Sequence, residues 1–394
     1  MPVTERMKSV LQVHQRLMDF ATRSTYAKHS RDPDIFDFTF GNPQEMPIPG
    51  FAEALQKWVP PQDKDWYAYK LNDMEACETI ATSLSNWRGV TFDAQDIAMT
   101  SGAFSAIAIA FNVFLDPGDE VIFSLPPWFG YEPMLVQAGA ICVKVPVLSG
   151  SFDLDVDAIA KAITPRTRMV IVNSPNNPTG KVYSPQTLEQ LAGVLQHASN
   201  EQGKPIYLLS DEPYARLVFE GKPFPSPAAH YPYSMIAYSY GKVLLTPGQR
   251  IGFLALPPQM PEREERRQQI LTAQIAGGWL FPTALMQHAI SDLDKLSIDL
   301  TELEAKRDLM VAGLQNAGYE VHQPDGTFYL LPKAPIDDDM AFFEILAAHK
   351  LFVMPGTICS IPGYFRITLT SSRERLLQSL EAFAAARASV ISVS

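Results

Sequence analysis

Lys242 follows a hydrophobic run, Met235 to Ser239, with a hydroxyl three residues before it at Ser239 and a guanidinium eight residues after it at Arg250. A lysine amine is idle while exposed and protonated, but it becomes a nucleophile toward carbonyl groups when a fold carries it into a dry cleft. Ser239 and Arg250 would hold an anion beside it, because hydroxyl and guanidinium groups grip phosphate oxygens by charge-assisted hydrogen bonds.

Three further stretches suit the same kind of site. Asp211-Glu-Pro-Tyr214 closes another apolar run, and a carboxylate deep in a cleft holds a ring N–H in its charged form. In Thr100-Ser-Gly-Ala-Phe104 a strand enters a helix through Gly102, which aims the free N–H groups of Ala103 and Phe104 at an anion. Asn173-Ser-Pro-Asn-Asn-Pro-Thr-Gly180 is a rigid polar loop able to present the Asn177 amide. It is not a nucleotide-binding P-loop, since Pro175 stands where a glycine is required and Val182 follows Lys181. Taken singly, these stretches also read as a turn, a cap and a loop.

From residue 97 onward, short β-branched runs alternate with helical periods. The runs are Ile97–Thr100, Glu120–Phe123, Ile141–Val147, Arg168–Asn173, Ile206–Ser210, Met235–Ser239 and Ile251–Leu256. Helices are expected from Ala103, after Trp128 and near Pro185–Asn200. This is an α/β pattern with a large, mostly parallel sheet covered on both faces, whose ligands bind at the carboxyl ends of the strands.

Beyond Pro261 the pattern turns helical. The run Glu262-Arg-Glu-Glu-Arg-Arg reads as a solvated helix face. Helices at Leu300–Asn316, Asp339–His349 and Arg373–Ala388, with strands near Tyr319–Val321, Phe328–Leu331, Phe352–Met354 and Phe365–Thr370, predict a smaller α/β unit. The expected domains are residues 1–45 as an N-terminal arm and part of the small domain, 46–290 as the large domain, and 291–394 as the small domain.

A chain of 394 residues with 46% hydrophobic content can bury two cores. Its net charge of -11 argues against nucleic acid as a partner. Cys77, Cys142 and Cys359 lack CxxC spacing or a histidine cluster, so no metal is expected and a reducing cytoplasm fits. The charged start does not resemble a signal peptide, and the apolar stretch from Gly102 to Leu115 is too short to cross a bilayer, so no membrane partner is expected.

Together, Asn177-Pro-Thr-Gly, Asp211-Glu-Pro-Tyr and Ser239…Lys242…Arg250-Ile-Gly closely resemble, in order and separation, the class I/II aminotransferases of the aspartate aminotransferase fold. The resemblance spans nearly the whole chain. It implies pyridoxal 5'-phosphate as cofactor and the fold type I architecture, a seven-stranded sheet sandwiched by helices beside a smaller α/β domain. Lys242 would be joined to the cofactor and then move the α-proton; Asp211 would pair with the ring nitrogen; Tyr214 and Asn177 would bond the phenolic oxygen. Trp128, in Pro126-Pro-Trp-Phe-Gly-Tyr131, would stack on the ring. Gly102, Ala103, Phe104, Ser239 and Arg250 would hold the phosphate, with Tyr67 of a second subunit, or Tyr69 in its place. Arg366, in Tyr364-Phe-Arg-Ile-Thr, would clamp the substrate's α-carboxylate, and Gly41 would close over it.

Dicarboxylate-specific members of that family use a second arginine from the neighbouring subunit. The matching stretch here, Ala276-Gly-Gly-Trp-Leu-Phe-Pro282, has none and offers Trp279. A side-chain carboxylate there would be left unpaired, so neutral, hydrophobic or aromatic amino acids are expected over aspartate. The expected reaction is ping-pong transfer between an amino acid and a 2-oxo acid in a homodimer. A C–S lyase, an aminocyclopropane-carboxylate-synthase-like enzyme and a non-catalytic ligand sensor of the same fold stay open as alternatives.

Overall fold

The computed structural model describes residues 3–391; the outermost residues of the expected arm and small domain, 1–2 and 392–394, lie outside the described residues. In chain order the strands are β1 (Phe36–Asp37), β2 (Ile97–Thr100), β3 (Glu120–Leu125), β4 (Ile141–Pro146), β5 (Thr167–Asn173), β6 (Tyr207–Asp211), β7 (Ser234–Ser239), β8 (Gly252–Ala255), β9 (Tyr329–Leu330), β10 (Leu351–Phe352), β11 (Met354–Pro355) and β12 (Phe365–Thr368).

Seven of them form one sheet in the order β2-β8-β7-β6-β5-β3-β4. Only β8 is reversed, antiparallel to both β2 and β7, so the other six point the same way. The period-two geometry of these strands splits their apolar residues between two cores. Phe123, Met169, Ile171 and Leu209 face one side, where the helix Ala103–Phe114 packs. Ile122, Val170, Val172 and Leu208 face the other, against Leu188, Leu191 and Leu195 of the helix Pro185–Gln202. Burial on both faces is why these strands read as continuous apolar runs.

The smaller unit holds an antiparallel sheet, β11-β12-β9, and a parallel pair in which β1 lies beside β10. The expected strand Phe352–Met354 divides at Val353 into β10 and β11, which belong to different sheets. Tyr319–Val321 is not a strand. Its alternating residues close the helix Leu300–Asn316 instead: Tyr319 N–H bonds Leu314 O, and the Tyr319 hydroxyl bonds Phe383 O on the helix Arg373–Ile391.

The charged run after Pro261 is likewise not merely a solvated face. It begins the helix Arg263–Ala276. Arg267 bonds Asp96 at 2.7 Å and Arg263 reaches Asp93 at 3.0 Å, and the Asp96 side chain is fully buried. Among the described residues no helix is long and apolar enough to cross a membrane.

Candidate active site

Because β8 alone is reversed, the segments after β2, β3, β5, β6 and β7 open on the same edge of the sheet. They surround a cavity of about 600 Å³ lined by Ala103, Phe104, Trp128, Asn177, Asp211, Tyr214, Ser239, Lys242 and Arg250. Residues up to 147 positions apart in the chain thus share one wall because strand order, not sequence distance, sets neighbours.

Asp211 ends β6 and is buried. Its Oδ2 accepts a short hydrogen bond from the Tyr131 hydroxyl and a longer one, 3.4 Å, from Asn173 Nδ2, while Oδ1 has no partner. Burial pushes this carboxyl up to about 7; the Tyr131 bond and the Lys242 charge oppose the rise, and Glu212 adds to it. An orphaned buried carboxylate oxygen is costly unless something brings it a hydrogen.

Lys242 sits in the helical turn Tyr240–Val243, for which the Ser239 hydroxyl is the cap, accepting from Gly241 N–H at 3.4 Å. Its Nζ lies 5.6 Å from the centre of the Tyr214 ring and 5.8 Å from that of Phe328. Gly102 enters the helix Ala103–Phe114 at φ +83°, a conformation L side chains rarely adopt, and a Cβ there would meet Arg250 Nη2 at 2.7 Å. The first N–H groups of that helix, on Ala103 and Phe104, consequently lie beside the Arg250 guanidinium. Trp128 stands edge-on to Phe104 at 4.5 Å and to Tyr131 at 5.2 Å.

Arg366, on β12, is buried and donates to Asn177 Oδ1 and to Thr39 O, both at 2.9 Å. Its Nε is buried without a partner. The guanidinium lies 4.3 Å from the centre of the Tyr329 ring. Burial, then the adjacent Tyr329, pushes the Tyr214 phenol well above its usual range. Tyr329 goes the other way: burial alone would raise it, but Arg366, Lys242 and the hydrogen given by Tyr214 outweigh that and lower it. Gly41 closes over the same place, with no room for a Cβ beside the Tyr329 hydroxyl.

Arg366, Gly41 and Gly102 stand behind the cavity's lining, beside Asn177, Tyr329 and Arg250 in turn, and two expected site residues are not brought near it by their own chain. Tyr67 is 56% exposed, its hydroxyl on Val59 O. Trp279 is 41% exposed and forms an aromatic cluster with Tyr69 at 5.4 Å and Phe281 at 4.8 Å. Conversely, Tyr131, Asn173 and Tyr329 belong to the site's geometry without having been singled out in the sequence. The first two stand inside the motifs Pro126–Tyr131 and Asn173–Gly180, which was the available signal.

The family model described as aminotransferase class I and II matches residues 33–383. A probable aspartate/prephenate aminotransferase of Thermus aquaticus is 32% identical, with 90% of this chain and 91% of that protein covered. An aromatic-amino-acid aminotransferase of Thermococcus litoralis is 27% identical over 84% of each chain. The crystal structure of an aminotransferase from Eubacterium rectale is 30% identical, superposes with a TM-score of 0.89 and covers 99% of both chains. The chain belongs to the class I and II aminotransferases, pyridoxal-phosphate-dependent enzymes that move amino groups.

Proposed function

We propose that the cavity takes up pyridoxal phosphate with its ring nitrogen on Asp211, and that the enzyme passes the amino group of a neutral, hydrophobic or aromatic amino acid to a 2-oxo acid in two half-reactions. The observation carrying this reading is the orphaned Asp211 Oδ1, buried at the end of β6 in a cavity that also contains Lys242. A protonated ring nitrogen satisfies that oxygen and supplies its counter-charge. Ser239, Arg250 and the N–H groups of Ala103 and Phe104 fit a phosphate, and the close approach at Gly102 leaves the space such a cradle needs. When bound, pyridoxal phosphate supplies an aldehyde that condenses with amines and a ring that accepts the electron pair left at Cα.

The chain's own residues do the rest. Lys242 Nζ would take the proton from the substrate's Cα and hand it to the C4′ carbon of the cofactor, the transfer that leaves the nitrogen on the cofactor. Arg366, with its free Nε, takes the substrate carboxylate and fixes the rotation that aims the Cα–H bond at Lys242. Asn177 links the two, since its amide oxygen already holds Arg366 and its side chain borders the cavity. Trp128 and Phe104 give the mouth aromatic walls and exclude water.

The preference for apolar donors is supported by those walls and by the 276–282 segment, which contains Trp279 and no arginine in the stretch that the family resemblance matches to a second-carboxylate site. The names of the Thermus and Thermococcus relatives include both aspartate and aromatic amino acids, so the donor is decided by measurement. A second copy of the chain would cover the exposed Tyr69–Trp279 cluster and carry Tyr67 toward the neighbouring phosphate site. The pairing of β1 with β10 supports reading residues 1–45 as an N-terminal arm and part of the small domain, with 46–290 as the large domain and 291–394 as the small one.

The test is a single-turnover assay on the cofactor-loaded protein. One candidate amino acid is added at a time without acceptor, and the cofactor's absorbance and the products are followed. Stoichiometric conversion, reversed by a 2-oxo acid and fastest with aromatic or aliphatic donors, is the expected result. Aspartate as the best donor would overturn the preference, and sustained release of ammonia or thiol without an acceptor would indicate elimination instead.

A further inference from the structure

Tyr329 is the buried phenol on which three distant stretches of the chain converge. It lies on β9, whose partner is β12, with Tyr329 opposite Thr368 and two residues along the strand from Arg366. The Arg366 guanidinium lies 4.3 Å from the centre of its ring. From the segment after β6, Tyr214 approaches the Tyr329 ring edge-on at 6.0 Å. The N-terminal segment reaches the same hydroxyl at Gly41, where even a methyl group would collide with it. Phe328, 4.9 Å away, fixes the ring from a further side.

The setting of Arg366 explains what such a residue is for. A guanidinium buried to this degree is held by two neutral oxygens, Asn177 Oδ1 and Thr39 O, and both lie near its edge. Edge bonds alone leave the plane free to tilt about the line joining them. An aromatic face 4.3 Å from the guanidinium carbon restricts that freedom and supplies the negative potential that the two neutral acceptors do not. Carboxylate recognition by arginine is a planar, two-pronged geometry, so the tilt of the guanidinium sets the position of the substrate's Cα.

We propose that Tyr329 is a positioning residue for the reaction: the face of its ring orients Arg366 toward the substrate carboxylate, and the edge-on Tyr214, which lines the cavity, holds that ring from the cofactor side. The inference rests on Arg366 being the carboxylate-binding residue and goes beyond it by naming what aims it.

The experiment compares the holoenzyme with Tyr329→Leu, Tyr329→Phe and Arg366→Leu. The readouts are the dissociation constant of 3-phenylpropionate, a carboxylate with no amine to react, the KM and kcat of an amino donor, and pyridoxal phosphate affinity by absorbance titration of the apoprotein. Tyr329→Leu is expected to weaken 3-phenylpropionate about tenfold or more and to raise KM in parallel, through loss of the cation–π contact. Cofactor affinity should stay near that of the parent, and Tyr329→Phe, which keeps the ring, should restore most of the carboxylate affinity. If Arg366→Leu abolishes 3-phenylpropionate binding while Tyr329→Leu leaves it intact, the Tyr329 inference is wrong and the Arg366 reading stands. If Arg366→Leu itself leaves binding intact, the carboxylate reading fails and takes the inference with it. A Tyr329→Leu protein that loses cofactor affinity and melting temperature together, with Tyr329→Phe doing the same, would make the residue structural and overturn the proposal.

Discussion

Asp211 is the residue whose charge state the structure makes most testable. Without a partner on Oδ1, its carboxyl is pushed up to about 7 by burial, against an ordinary value of 3.8. Below about pH 7 the empty site therefore holds a proton on Asp211. A ring that arrives with its nitrogen protonated needs the carboxylate, so binding must expel that proton. Affinity for pyridoxal phosphate should then rise with pH, up to tenfold per pH unit, and level off above about 7. Between pH 7, where half of the Asp211 carboxyls are already ionised, and pH 5 the loss is about fiftyfold, roughly 2 kcal/mol.

The same shift bears on the empty protein's stability. A carboxyl whose folded value is raised contributes stability that is fully present below about 3.8 and is lost as pH rises through about 7. The cofactor's stabilising effect should therefore grow across that window. The assay is a fluorescence titration of pyridoxal phosphate at intervals from pH 5 to 8 on Lys242→Ala, which removes the covalent attachment and its own pH dependence; it also removes the charge that opposes the rise at Asp211, so the levelling-off moves above 7 in this variant. The reference is Lys242→Ala with Asp211→Asn, because the phosphate ionises identically in both. The reasoning is refuted if the two proteins show the same slope below pH 7, or if the single variant binds more tightly at pH 5 than at pH 7.

Other expectations follow from the same geometry. Tyr131→Phe removes the hydrogen bond that opposes the rise at Asp211, so the pH at which affinity levels off should move upward and affinity at pH 7 should fall about tenfold, as for one bond to a charged group; the same titration reads both. Gly102→Ala places a Cβ 2.7 Å from Arg250 Nη2 at a strained φ, and should cost about tenfold or more in cofactor affinity, measured by equilibrium dialysis. Arg267→Ala leaves the buried Asp96 with Arg263 as its remaining cation and the Asp93 N–H as its hydrogen-bond donor; thermal unfolding should show a loss somewhat below the roughly 3–5 kcal/mol of a fully broken buried pair, while kcat of the folded enzyme stays unchanged.

How much of this was legible in the sequence depends on whether a feature is local. The turn that carries Lys242, the end of the strand that carries Asp211 and the glycine before Ala103 are each announced within a few residues by an apolar run and a breaker. Their shared position could be read because a strand's carboxyl end is a place in the fold as well as in the chain. The Tyr131–Asp211 and Arg366–Tyr329 contacts are of another kind. One joins segments 80 positions apart, and the other depends on the antiparallel register of β9 and β12. No local period encodes either. The misread Tyr319–Val321 shows the same limit from the opposite side: three alternating residues serve equally as a strand or as the plug between two helices, and only the presence of the helix Arg373–Ile391 decides. The charged run after Pro261 fails likewise, because Asp93 and Asp96, about 170 residues earlier, turn part of a solvated face into a buried ion pair. Local pattern therefore supplies the candidate reacting groups, whereas the side chains packed around them come from strand order and register. It is at those second positions, Tyr131 and Tyr329, that substitution should separate chemistry from folding most cleanly.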